Sequence, residues 1–375
     1  MPRVVICGAG FGGIATAVAL RDQSNPGDVD VVLIDRHDDF VMGLRKTWAA
    51  LGTDTLEGGR RRLSDIKAVE IEIGELTAVD PGARVVEVGG RRIEADSLVL
   101  ALGARHAMDA LPGLAEHGIN VWDRAESDRA RAALDGLAGG RLVIGIFGTP
   151  YSCPPGPFEL ALLARERLGS DVEITVFSPA PIALPVVGPE GSAKVERLLA
   201  EADIDFLPAH QSAAVTPDAV QFADGSDVPF DVLLAVPPHR SPQVLVDAGL
   251  AEPSGWLRPD SRTFELPSAG VYAIGDCTAI MLANGLPLPK AGVFAHAQGE
   301  VVAARIAARL RGETPGATFD GEGECFIETG AGRAAKAFGS FMADPPRVAI
   351  SQPTEETMAE KREFERSRLQ HWFGH

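Results

Sequence analysis

The sequence predicts an α/β protein of two Rossmann-like domains, each with a parallel sheet, followed by a small C-terminal α+β segment. Three observations predict it. Strand, glycine-rich turn, helix and strand follow one another over Arg3–Asp35, as RVVICGAG, a helix from about Phe11 to Arg21, and DVDVVLID. The same order recurs over Arg141–Phe177, as RLVIGIFG, a proline-rich turn, PFELALLARERL and DVEITVF. Strands that alternate with helices imply parallel sheets with crossover helices. The third observation is a change of pattern near the C-terminus, where alternating residues and Gly-rich turns over 321–342 suggest a hairpin before a charged tail.

Each element follows from local pattern. Between 69 and 103, EIEIGELTAVD, ARVVEVGG and RRIEADSLVLALGA read as short strands with Gly and Pro-Gly turns, a β-meander layer. SAGVYAIGD at 268–276 is a short apolar strand ending in Gly-Asp. KAGVFAHAQGEVVAARIAARL, 290–310, has the apolar spacing of a helix. The tail EETMAEKREFERSRLQHWFG predicts a charged helix with Met358, Leu369, Trp372 and Phe373 on one face. The expected organisation is a dinucleotide-binding domain whose first part is 1–106, a second Rossmann-like domain over 107–238, the second part of the first domain over 239–312, and a C-terminal segment over 313–375.

Composition excludes several classes. The chain has 375 residues, 45% of them hydrophobic and 23% charged, which is ordinary globular usage and long enough for a sizeable core. Its formal charge of −17 argues against nucleic acid as a partner, and the triplet Arg60, Arg61, Arg62 is too small a basic patch to offset it. No apolar run approaches the roughly 18 residues of a membrane span, and no signal peptide is visible. The expectation is a cytoplasmic protein, at most peripheral at the inner membrane face. Cys7, Cys153, Cys277 and Cys325 form no C-x-x-C pair, which argues against zinc. Cys7 and Cys277 read as small buried hydrophobes.

Gly8-Ala9-Gly10-Phe11-Gly12-Gly13 fits G-x-G-x-x-G, and its context is the one a dinucleotide needs. It follows a strand, opens a helix, and is followed by Asp35 at the end of the next strand. Gly8 makes the tight turn, Gly10 admits a pyrophosphate, and Gly13 lets the helix pack closely. The helix N-terminus supplies N–H donors to phosphate, and Asp35 can accept from a ribose hydroxyl. Asp276, at the C-terminal end of a strand, stands where ligands bind in such sheets.

SLVLALGA at 97–104 and GVYAIGD at 270–276, taken with the first fingerprint, resemble the FAD-contacting segments of flavoproteins with two dinucleotide-binding domains, the glutathione-reductase type. The resemblance implies FAD. It assigns Asp276 to the ribityl chain and Gly103 to the backbone beside the cofactor. It also makes Arg36, Arg45, Val79, Ala101, Gly275, Lys290 and Gly292 candidate cofactor contacts, Lys290 as a cation beside the reduced ring.

The second turn, Gly145 to Pro157, keeps only an echo of the glycine pattern. Pro150, Pro154, Pro155 and Pro157 lack the N–H donors a pyrophosphate would use. The next strand ends in Phe177-Ser178, with no acid for a ribose. The expectation is that NAD(P)H binding has been lost.

Within this turn CPPGPFE resembles the sulfide-oxidising flavoproteins, sulfide:quinone oxidoreductase and flavocytochrome c sulfide dehydrogenase. That resemblance implies a redox disulfide between Cys153 and a C-terminal cysteine, here Cys325 in GECFIETG, with Cys325 nearer the flavin and Cys153 carrying sulfur. It makes Glu159 the active-site acid. A disulfide is an electrophile that HS⁻ or a small thiolate can open. The resemblance also implies a quinone or another electron acceptor, and Phe338, Phe341, Trp372 and Phe373 either line a quinone slot or bury the tail helix. The segment 40–45 contains no cysteine, so FAD is expected to be non-covalent. A weak peripheral membrane contact and a homodimer contact through the tail are further expectations. Two alternatives stand beside this reading. One is a type II NADH dehydrogenase or ferredoxin-reductase-like enzyme. The other is a non-catalytic flavin-binding redox sensor.

Overall fold

A computed structural model describes residues 1–25 and 27–374. Its architecture is the α/β one the sequence predicts. One five-stranded parallel sheet runs in the spatial order Val271–Ala273, Ser97–Leu100, Arg3–Cys7, Asp30–Asp35, Glu70–Ile73. The four strands other than the edge strand Glu70–Ile73 are largely apolar and buried, because both faces of the sheet are covered there. Cys7 lies opposite both Ile34 and Leu100, so the strands end level and their C-terminal ends form one rim. The helices Phe11–Gln23 and Gly292–Leu310 pack on one face and cross at small residues. A side chain on Gly299 would meet the Gly12 carbonyl at 2.5 Å.

A second five-stranded parallel sheet has the order Ile119–Asn120, Val232–Val236, Gly140–Ile146, Val172–Phe177, Ile204–Leu207. Helix Gly156–Leu168 is its crossover after Ile146.

The 69–103 segment differs from the expected meander. Leu76–Asp80, Val85–Val88 and Arg91–Glu94 do form an antiparallel layer. Glu70–Ile73 and Ser97–Leu100 belong to the first parallel sheet instead. The run EIEIGELTAVD breaks at Gly74, whose N–H bonds the Asp35 carbonyl at 2.8 Å and whose missing side chain leaves room for Val88. Alternation along an edge strand does not reveal which sheet it joins.

The C-terminal segment has the predicted hairpin, Glu322–Gly330 with Arg333–Ser340. It also has a third strand, Arg347–Ile350. Helix Glu355–Phe373 follows, capped by Thr354, whose hydroxyl accepts from the Thr357 N–H at 3.0 Å. This segment ties the two halves together. Ile327, Ala334 and Met358 join the core around the second sheet, whereas Leu369, Trp372 and Phe373 join the core around the first. Trp372 meets Phe11 edge-on at 5.4 Å, and Phe341 meets Phe294 at 4.9 Å. Phe341, Trp372 and Phe373 therefore bury the tail, and Phe338 stands exposed. Among the described residues no helix is long and apolar enough to cross a membrane.

Candidate active site

A cavity of about 660 Å³ opens at the rim of the first sheet and runs to the second domain and the C-terminal segment. Three kinds of residue wall it: the glycine-rich turn, the two cysteines predicted to pair, and polar groups from every neighbouring element.

The turn is built as a phosphate cradle. Gly8 sits at φ +105°, where a side chain would strike the Ala101 carbonyl at 2.3 Å, and its N–H bonds Ile34 O at 2.7 Å. Gly10 faces open space. Gly13 does not reach the cavity; a side chain there would meet the Gly8 carbonyl at 1.8 Å, so its role is helix packing. Asp35 accepts from the Ala9 N–H at 2.7 Å and the His37 N–H at 2.9 Å, which fixes the turn and the carboxylate together. Arg36, Ala101, Gly103, Gly275 and Gly292 line the same cavity, as does Gly12.

Asp276 and Lys290 sit at the middle of the wall. Burial pushes the Asp276 carboxyl upward, against the charges of Lys290 and Lys46. Asp276 is half-buried at the cavity wall. That acid and the glycine-rich turn fit a dinucleotide whose sugar-like chain carries hydroxyls. Lys290 is buried. Its ammonium donates to the carbonyls of Asp276 (2.7 Å) and Thr278 (2.8 Å) and lies 3.6 Å from the Trp256 ring centre. Burial brings its pKa down to about 8.

Two proposed contacts lie elsewhere. Arg45 turns away from the cavity and binds Glu365 bidentately, Nε to Oε1 at 2.5 Å and Nη2 to Oε2 at 3.0 Å. Its neighbour Lys46 lines the cavity in its place, with Nζ donating to Trp122 O at 2.7 Å. Val79 is buried in the meander core, and Glu75 and Leu76 reach the wall instead. Both differences follow from side-chain direction, since adjacent residues on a helix or strand face different ways.

Cys153 and Cys325 line the cavity together, from opposite sides of the domain boundary, as free thiols. Cys153 has φ +54°, its N–H bonds Lys290 O at 2.7 Å, and its carbonyl accepts from Gly156 N at 2.8 Å. Gly156 leaves space for the sulfur, because a side chain there would come within 3.2 Å of Sγ. Cys153 is exposed at the cavity, yet the protein packed around it pushes its thiol up to about 12, with the Glu159 charge adding to it. Burial also raises Cys325, and a negative charge on Cys153 raises it further. Cys325 pairs across the hairpin with Ala337, which sets its position on rigid backbone.

Glu159 is buried in the first turn of its helix and also lines the cavity. One oxygen takes the Lys361 ammonium at 2.9 Å and the Glu328 N–H at 2.8 Å. Lys361 binds Glu328 as well, at 2.9 Å, and Trp48 Nε1 donates to Glu328 at 2.8 Å. Lys361 is 2% exposed.

Sequence reasoning missed several residues here. His239 is hydrogen-bonded through Nε2 to Ser152 Oγ at 2.9 Å, and its Nδ1 contacts Pro237 O at 2.9 Å. His106 packs on it at 4.7 Å. Burial lowers both, His106 to about 3 and His239 to about 4, so both rings are neutral near pH 7. Phe11, Phe326 and Phe364 line the cavity, where other aromatics had been expected. Phe326 and Phe364 lie 5.9 Å apart and Phe11 lies 6.3 Å from Phe364.

A glycine-rich strand-turn-helix, an acid at the sheet rim and two thiols lining the same cavity are the parts of a dinucleotide-dependent redox enzyme. Residues 2–299 match the pyridine nucleotide-disulphide oxidoreductase family, and the chain belongs to it. Within that family it is a flavin-type oxidoreductase of the sulfide:quinone oxidoreductase-like kind. It is similar to the sulfide-quinone reductase of Aquifex aeolicus, 27% identical over 334 residues that cover 82% of this chain and 77% of that protein. The solved structure of the sulfide:quinone oxidoreductase from that bacterium matches at TM-score 0.89 and 25% identity, covering 100% of this chain and 92% of that one. A NADH dehydrogenase-like protein of Mycobacterium tuberculosis is also 27% identical, over 300 residues that cover 74% of this chain and 73% of that protein.

Proposed function

We infer that the protein oxidises sulfide, or another small sulfur nucleophile, through a Cys153–Cys325 redox disulfide and passes the electrons by way of non-covalent FAD to a quinone. The observation that supports this reading is that Cys153 and Cys325 line the same cavity as the glycine-rich turn and Asp276. Gly8, Gly10, Gly12 and Asp35 would hold the pyrophosphate and ribose, Asp276 the ribityl hydroxyls. When bound, the flavin supplies a two-electron acceptor.

The remaining chemistry belongs to the chain. HS⁻ attacks the Cys153 sulfur, a new S–S bond forms there, and the Cys153–Cys325 bond breaks. Cys153 becomes a persulfide and Cys325 leaves as a thiolate, which balances atoms and charge. Return of the disulfide requires transfer of the outer sulfur to a second nucleophile and loss of two electrons from the pair. Glu159 is held between Lys361 and a backbone N–H, so it acts as a fixed charge beside Cys153. The aromatic wall of Phe11, Phe326 and Phe364 offers an apolar slot for a quinone. A quinone dissolved in a bilayer would place the enzyme at the inner membrane face as a peripheral protein.

A NADH-oxidising reading is supported by the NADH dehydrogenase-like relatives, the mycobacterial protein among them. Anaerobic titration of the yellow protein decides between them. Sulfide should bleach the absorbance near 450 nm and NADH should not, and Cys153→Ser should abolish the sulfide response. Bleaching by NADH with no response to sulfide would overturn the reading.

A further inference from the structure

We propose that Trp122, with His239, is a positioning residue for Cys153, and that the pair seats its sulfur at the cavity. The bearing of this on sulfide rests on the relay reading above, in which neither residue has a role.

Cys153 stands at φ +54°, a left-handed conformation unfavourable for a residue with a side chain, so neighbouring groups must hold it. Pro154, Pro155 and Pro157 leave few N–H groups within the turn to do so. Contacts from outside the turn supply the hold, and two of them converge on Ser152, the residue before the sulfur. The Trp122 indole N–H donates to Ser152 O at 2.6 Å. Ser152 Oγ lies 2.9 Å from His239 Nε2. Pro237 O, 2.9 Å from Nδ1 of the same ring, can only accept, so Nδ1 carries the proton and Nε2 of the neutral ring accepts from the Ser152 hydroxyl. On the other side of the Ser152 carbonyl, the Cys153 N–H donates to Lys290 O at 2.7 Å. Trp122 also borders the sulfur itself. A side chain on Gly156 would meet the Trp122 ring at 2.9 Å and Cys153 Sγ at 3.2 Å. Ring and sulfur are therefore no more than about 6 Å apart, close to the range of sulfur–aromatic attraction.

The two anchors are braced against each other. Trp122 follows strand Ile119–Asn120 and His239 follows strand Val232–Val236, neighbours in the second sheet. Asn120 Oδ1 accepts from the Trp122 backbone N–H at 3.0 Å. The Asn120 Nδ2 lies 3.1 Å from Nδ1 of His106, whose ring packs on His239 at 4.7 Å. Trp122 and His239 are both buried, so neither is free to drift. The Cys153 turn itself leaves strand Gly140–Ile146, on the other side of Val232–Val236. Three adjacent strand ends of the second sheet thus form one socket for the sulfur.

The test uses the flavin-loaded enzyme and two readouts. Trp122→Phe keeps a ring beside Gly156 and removes the donor to Ser152 O. Hydrogen–deuterium exchange, followed by mass spectrometry of a peptide spanning 151–158, should quicken about tenfold, because a sheltered carbonyl has lost its donor. Bleaching per bound flavin at saturating sulfide should slow about tenfold or more, with the half-saturating concentration within about twofold of the parent, because the sulfur is displaced while access to it is not changed. Unchanged exchange would overturn the proposal. So would faster exchange with unchanged bleaching per flavin, which would make the contact structural only. If Trp122→Phe does not fold, Ser152→Ala, which breaks the hydrogen bond to His239, is read in the same way. Sulfide bleaching of the parent tests the relay separately: faster exchange in Trp122→Phe with no bleaching of the parent would remove the relay and leave the positioning of Cys153 standing.

Discussion

Replacing Lys361 with Met should destabilise the protein by about 3–5 kcal/mol, the usual cost of removing one partner from a buried ion pair. Lys361 is 2% exposed, and its ammonium is the common partner of Glu159 and Glu328, whose side chains are 7% and 12% exposed. Met preserves most of the stem, so packing changes little and two carboxylates are left facing each other. At an unfolding entropy of about 2.1 cal/mol/K per residue, a chain of this length should lose about 4–6 °C in Tm. Differential scanning calorimetry of the flavin-loaded protein gives the number. Glu159→Gln together with Glu328→Gln should make the same Lys361→Met change nearly neutral, because the penalty lies in uncompensated charge. The sign with pH also follows. Burial lowers the Lys361 pKa, but the two carboxylates raise it more, so it ends above its ordinary value. Its stabilisation is complete below the ordinary lysine pKa of about 10.5 and disappears only as pH rises through the higher folded value. The deficit of Lys361→Met should therefore be constant from about pH 6 to 9. A loss under about 1 °C, or an equal loss in the double-Gln background, would refute the reasoning.

Other predictions concern the cradle and the histidines. Asp276→Ala should weaken flavin retention about 10- to 100-fold, the loss of charge-assisted hydrogen bonds, read as 450 nm absorbance per protein after gel filtration. Full retention would remove Asp276 from the binding site. Gly8→Ala should yield protein without flavin or no folded protein, since the new methyl meets Ala101 O at 2.3 Å in a backbone conformation suited to glycine. His106 and His239 have folded pKa values of about 3 and about 4, below the ordinary value for histidine. The unfolded chain therefore takes up their protons first. Stability is full above about pH 6.5 and falls with pH through that value toward 4, by about 1–2 kcal/mol per histidine at pH 5. His239→Gln should flatten the fall in Tm between pH 7 and pH 5; an unchanged slope would show that His239 is not held neutral.

Much of the site was legible because it is local. The Gly8–Gly13 fingerprint, Asp35, the strand ending at Asp276 and the CPPGP turn each lie within a few residues of sequence, where chain geometry dictates function. Cys325 was reached only by resemblance. The groups that sequence reasoning missed depend on long-range pairing. His239 meets Ser152 because a two-residue strand at 239–240 pairs with one at 105–106, too short to leave a periodic signal. The choice of Arg45 over Lys46 turned on the rotation of a short helix. Lys361 and Glu365 did leave a signal. With Met358, Leu369 and Trp372 they follow the three- and four-residue spacing of one helix face, so two charges lie on a buried stripe. Charged residues in such a stripe indicate buried partners, here Glu159 and Arg45.

The central claim is that Cys153 and Cys325 form one redox couple. Non-reducing peptide mapping of the oxidised enzyme, before and after a stoichiometric addition of sulfide under argon, tests it most directly. The account predicts a Cys153–Cys325 linked peptide that disappears as a persulfide appears on Cys153. Two unlinked thiols in the oxidised enzyme, unchanged by sulfide, would contradict it.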